Sequence, residues 1–141
     1  MKKSISFILC FALLASLLTF TVFAEGSNPF TDVKEKAYYY EPVLWAVANG
    51  ITTGTSKTAF SPDMECSRAQ MAAFLCRMAD GKAESDENAF IDVKADAYYA
   101  DSVQWAVENG ITKGTSSNNY SPDATCTRGQ MVTFLYRYYF K

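Results

Sequence analysis

Beyond an apolar leader, the hydrophobic positions of this chain fall into two sets that repeat at an offset of 60 residues. In the first set Tyr39, Val43, Ala46 and Val47 recur at intervals of three and four, which lines one face of a helix. Asn49 and Gly50 then supply the stop. The stretch 51–63, rich in Thr, Ser, Gly and Pro, reads as loop and turns. A second helical pattern follows, with Met71, Phe74, Leu75 and Met78 as its apolar stripe. Ser67, followed three residues later by Gln70, gives it a capping-box start. The second set repeats all of this. Tyr99, Val103, Ala106 and Val107 precede Asn109 and Gly110; Thr127 and Gln130 then open the stripe Met131, Phe134, Leu135 and Tyr138. The pattern predicts an all-α fold of two tandem helix–loop–helix modules packed together, with the stripes as core.

Trp45 and Trp105 fall outside the stripes. Two positions beyond Val43 or Val103, a helical side chain points about 200° away. The first helix of each module is therefore apolar on two sides, more than a lone hairpin can bury. Either the tryptophan packs against the neighbouring repeat, or it lines a groove and faces a ligand.

The repeat is direct and ungapped. Shifted by 60, residues 30–80 align with 90–140: Phe30 to Lys34 with Phe90 to Lys94, Trp45 to Thr52 with Trp105 to Thr112, and Cys66 to Met71 with Cys126 to Met131. These matches bound one module at 28–81 and another at 90–141, with the polar, aperiodic residues 82–89 as linker. A period of this size marks units that bury their apolar faces against one another.

Composition changes the picture in three places. Residues 1–24 read as a secretory signal, with Lys2 and Lys3 before an apolar run and Val22-Phe23-Ala24 offering cleavage before Glu25. An uncleaved membrane anchor is the alternative for the same run. Of the 13 basic groups only Lys2 and Lys3 lie in that leader, so the mature chain carries 11 against 15 carboxylates. That mildly acidic balance, without a basic run, argues against nucleic acid or an anionic membrane as partner. Histidine is absent, which removes Ser–His, Cys–His and His–metal chemistry. No recurring acid pair suggests glycosidase chemistry, because Asp32, Asp63, Asp92 and Asp123 stand beside turns. The chain thus reads as no enzyme, with neither cofactor nor metal. Cys66, Cys76 and Cys126 lack metal spacing; Cys66 and Cys126, just before the N-caps, read as small buried hydrophobes, with a disulfide between them as the alternative.

The arginines carry the sharpest signal. Arg68 and Arg128 each fall one residue inside a predicted N-cap, where a cation opposes the helix dipole. One reading is a solvated side chain; the other is an anion held jointly by the guanidinium fork and the helix N-terminus. The loops Gly54-Thr55-Ser56 and Gly114-Thr115-Ser116 are candidates to add backbone and hydroxyl donors. Neither arginine lies on the apolar stripe, so replacing either is expected to leave the fold intact. Arg77 and Arg137, late in their helices, suit the dipole without a further role.

The ordered set Phe-x-Asp-Val, Ala-Tyr-Tyr, Trp-Ala-Val-x-Asn-Gly-Ile-Thr, Gly-Thr-Ser, Ser-Pro-Asp and Ser/Thr-Arg-Ala/Gly-Gln, present twice, resembles the S-layer homology (SLH) module. Where that family has Thr-Arg-Ala-Glu, this chain has Ser67-Arg68-Ala69-Gln70 and Thr127-Arg128-Gly129-Gln130. The resemblance implies helical modules that usually come in threes as a three-pronged prism. It also implies secretion to the cell wall or S-layer, and non-covalent binding of a secondary cell-wall polymer, often pyruvylated. Trp45, Trp105, both Gly-Thr-Ser loops and both arginines are then the candidate glycan contacts. Two modules, with Lys141 leaving no room for a third, predict an incomplete prism with open apolar surface. Self-association, or assembly with other SLH or S-layer chains, is the partner expectation that follows.

Overall fold

The structure, a computed structural model, describes residues 27–140; the expected signal 1–24 and its cleavage point lie outside the described residues. Four helices follow in order: α1 Tyr40–Ala48, α2 Arg68–Met78, α3 Ala100–Glu108 and α4 Arg128–Tyr139. Among the described residues the one extended pairing is an isolated antiparallel bridge between Ser67 and Thr125.

The helix boundaries have local causes. Ser67 Oγ accepts from the Gln70 amide while the Gln70 side chain accepts from the Ser67 amide, and Thr127 with Gln130 repeats the arrangement. These reciprocal bonds satisfy amides that have no partner inside the helix. At the other end of α1, the Gly50 and Ile51 amides donate to Val47 and Ala46 carbonyls, and Gly50 takes φ +69°. Gly110 does the same after α3 at φ +65°. This is the glycine-terminated helix end in which a left-handed residue turns the chain out.

The packing departs from two self-contained hairpins. The helices in extensive contact are α2 and α3, which belong to different modules. One core cluster joins Ala69, Met71, Ala72, Leu75 and Cys76 of α2 to Val103, Trp105 and Ala106 of α3, with Tyr120 and Phe134 behind. A smaller cluster of Phe30, Val33 and Val43 sits under α1. The first helix of the second module thus packs on the second helix of the first.

Asp32 and Asp92 tie each module's entry to its loop. Asp32 accepts from the Phe60 and Ser61 amides at 2.9 and 2.7 Å; Asp92 accepts from Tyr120 and Ser121 at 2.8 Å each. Asp32 bonds its own backbone as a turn aspartate does, and adds bonds that span 28 and 29 residues. These amide donors hold the Asp32 carboxyl below its ordinary value.

Candidate functional site

Two clefts repeat the 60-residue symmetry. The first, about 630 Å³, runs along Thr52 to Thr55 and is closed by Gln70, Phe74 and Arg77. The second, about 620 Å³, uses the counterparts Thr112 to Thr115, Gln130, Phe134 and Arg137, and adds Arg68 from the other module. Only the second is a junction between an arginine of one module and the loop of the next.

Arg68 is 3% exposed. Its Nε–H donates to the Tyr120 carbonyl at 2.9 Å, and the Tyr120 hydroxyl donates to the Arg68 carbonyl at 2.8 Å. The guanidinium carbon lies 4.8 Å from the Tyr120 ring centre and 5.5 Å from that of Phe134. Nη2 is buried without a hydrogen-bond partner, and among the described residues no carboxylate pairs with the group. Aromatic faces attract a cation, yet a buried charge without a counter-ion remains costly. Burial also pushes the Tyr120 phenol far above its ordinary range, so it stays a neutral donor.

The surroundings add positive charge. Lys113 and Arg137 line the same cleft as Arg68, and no carboxylate does. The first cleft balances Arg77 against Glu65 and has threonine, Thr53, where the second has Lys113. Arg137 Nη1 donates to the Ile111 carbonyl at 3.2 Å, and Arg77 repeats this toward Ile51 at 3.1 Å. Both arginines therefore curl back over their loops instead of merely facing the helix dipole.

The structure divides the candidate residues. Gly54 and Thr55 line the first cleft, Gly114 and Thr115 the second. Ser56 and Ser116 line neither; each hydroxyl accepts loop amides two and three residues on. The loops' own amides are spent as well. Thr55 and Ser56 donate to Ala59, Thr115 and Ser116 to Asn119, and Gly114 to the Thr112 hydroxyl. Gly114, at φ +78°, leaves room for the Phe90 ring, which a Cβ would meet at 2.5 Å.

The helix terminus is likewise closed at α2. The Arg68 and Ala69 amides donate to Ala124 and Pro122 of the second module, so the guanidinium, not the helix end, remains for an anion. Arg68 also braces the core through Tyr120, which overturns the expectation that its removal spares the fold. Arg128 is exposed and reaches neither cleft. Trp105 is 6% exposed and stacked over Gly81, the packing role; Trp45 is 46% exposed on α1, outside both clefts. Burial pushes the thiols of Cys66, Cys76 and Cys126 up, and all three are free.

Sequence reasoning passed over Thr52, Thr112, Lys113, Arg77 and Arg137. Recurrence at the 60-residue offset marks the two threonines and two arginines; Lys113 has no such signal, because its counterpart is Thr53.

Comparison with known proteins agrees with the repeat. The S-layer homology domain model matches residues 29–72 and 89–132. The surface-layer 125 kDa protein of Lysinibacillus sphaericus is 37% identical over 118 residues, 81% of this chain and 10% of that protein. The cell surface protein of Thermoanaerobacter kivui is 30% identical over 142 residues, covering 97% of this chain and 18% of the relative. An endoglucanase of Bacillus sp. (strain KSM-635) is 32% identical over 144 residues, covering 98% of this chain and 15% of the enzyme. The chain thus spans between 10% and 18% of the length of these relatives.

Proposed function

The chain belongs to the S-layer homology family and is a protein of the cell surface, and from that premise we propose that it anchors there by binding an anionic secondary cell-wall polymer in the cleft between its modules. The observation that carries this reading is Arg68, a buried guanidinium without an acidic partner, beside Lys113 and Arg137. A carboxylate or phosphate on the glycan supplies the missing counter-charge, and a pyruvyl ketal is one such group. The guanidinium offers planar, two-pronged donation, while Lys113 adds a mobile point charge. The likeness to the endoglucanase takes in a small part of that enzyme and brings no catalytic activity with it. Among the described residues no helix is long and apolar enough to cross a membrane.

Pelleting of the secreted protein with purified walls, before and after polymer extraction, tests the reading. Binding to intact walls that is lost on extraction and competed by soluble extracted polymer is the expected result. Equal binding to extracted walls would sink it.

A further inference from the structure

Both α2 and α4 reach the shared core, α4 through Phe134 and Tyr138, but the face that α2 lays on the second module has an open counterpart on α4 among the described residues. Ala69, Ala72, Leu75 and Cys76 are buried, whereas their counterparts Gly129, Val132, Leu135 and Tyr136 are exposed. The same asymmetry marks the other end, where Trp45 lies open and its counterpart Trp105 is covered. The main chain agrees. Arg68 and Ala69 donate to Ala124 and Pro122, while among the described residues the amides of Arg128 and Gly129 find no acceptor. Met64 and Pro62, the counterparts of Ala124 and Pro122, likewise take no donor there. Finally Phe60 and Phe74, counterparts of the two rings that hold Arg68, line the first cleft half-buried and without a cation between them.

We infer that the chain associates head to tail with a second copy of itself: α4 of one copy lies on α1 of the next as α2 lies on α3, and delivers Arg128 between Phe60 and Phe74 of the first cleft. The open surfaces are related by the repeat to surfaces that already fit each other inside the chain. The new contact is bulkier at one point, since Tyr136 and Pro42 stand where Cys76 meets Ser102. Each union leaves one α4 and one α1 free, so copies add head to tail, as a line or a closed ring, instead of forming a two-fold dimer. That Arg128 makes the first cleft an anion site rests on the function proposed above; the assembly itself needs no glycan.

Sedimentation velocity on the secreted protein tests this without wall material. The mean mass should climb with protein concentration. Trp45→Asp spoils the α1 face and Val132→Asp the α4 face; both positions are exposed, and circular dichroism should show unchanged helicity. Each variant alone should be monomeric, but an equal mixture should form one-to-one heterodimers, because one keeps α4 and the other keeps α1. Arg128→Ala should weaken self-association about tenfold. A parent that stays monomeric at the highest concentration, or variants that still self-associate singly, or a mixture that stays monomeric, each overturns the head-to-tail contact. None of these outcomes bears on wall binding, so this inference and the glycan reading fail separately.

Discussion

The two modules are near copies in sequence and unequal in structure, and the inequality shows what a module needs from its neighbour. Ile111, Tyr120 and Val103 are at most 2% exposed, while Ile51 and Val43 keep 8% and 5%, and Phe60 is only half-buried. Trp105 and Trp45 differ more, at 6% and 46%. The second module is complete at its first helix because α2 lies on it; the first module has no such cover among the described residues. Conversely Arg68 is enclosed because the second module follows it, and Arg128 stands open. Residue identity sets what a position can do, and the neighbouring module sets whether it does it.

The strongest way to break this comparison is to truncate the paired tryptophans. Trp105→Ala should cost about 3–5 kcal/mol, as for large-to-small changes in packed cores. Trp45→Ala should cost roughly 1 kcal/mol or less in the isolated chain, because half of that burial is missing. Urea unfolding of both variants measures the gap. Equal losses would mean that α1 and α3 are not in different environments.

How much of this was legible beforehand follows the range of the interactions. Caps, stops and stripes are set by residues three and four apart, so Ser67 with Gln70 and Asn49 with Gly50 could be read directly. The offset of 60 residues marked the modules, and the recurring arginines pointed to Arg68. Which helix meets which was not legible, because a stripe states that a face is buried and not against what. The same gap hid the fate of the loop donors in Thr115 and Ser116, which are consumed by a carbonyl a few residues on. It also hid the difference between Arg68 and Arg128, since a position one residue inside an N-cap does not say which loop and rings will enclose the side chain.

A gentler change tests the brace at the junction. Tyr120→Phe removes the hydroxyl's bond to the Arg68 carbonyl, which keeps its place in the helical ladder of α2, at a cost of about 0.5–1.5 kcal/mol. The natural counterpart is already phenylalanine, so Phe60→Tyr should change stability by no more than about 0.5 kcal/mol. Thermal unfolding of the pair checks this. A neutral Tyr120→Phe would remove the hydroxyl's bond from any account of the junction.

Acid unfolding probes the tie at the first module. The Asp32 carboxyl is held below its ordinary value of 3.8 by the amides of Phe60 and Ser61. A carboxylate with a lowered folded pKa stabilises above its unfolded pKa, and that contribution is lost as pH falls through the folded value. Asp32→Asn should therefore be less stable than the parent at neutral pH. The two stability curves should converge as pH drops below about 4, where the unfolded carboxyl takes its proton. Curves that stay parallel down to acid unfolding would show that the Asp32 charge has no part in that tie.

The smallest effect separates the two clefts most cleanly. Lys113→Thr gives the second cleft the residue of the first, and Lys113 is exposed with no bond that the core depends on. Unfolding stability should stay within about 0.5 kcal/mol of the parent. Wall affinity should fall several-fold, the scale of about 1 kcal/mol for one exposed charge, and the loss should shrink as salt rises. The reverse change, Thr53→Lys, adds a cation where Glu65 already offsets Arg77 and where, at concentrations below self-association, no second guanidinium arrives, so it should gain less than Lys113→Thr loses. Comparing the two variants in one salt series weighs charge alone against charge beside a buried arginine. Equal and opposite changes would show that Arg68 adds nothing to the second cleft, and the anion reading of that site would fall with it.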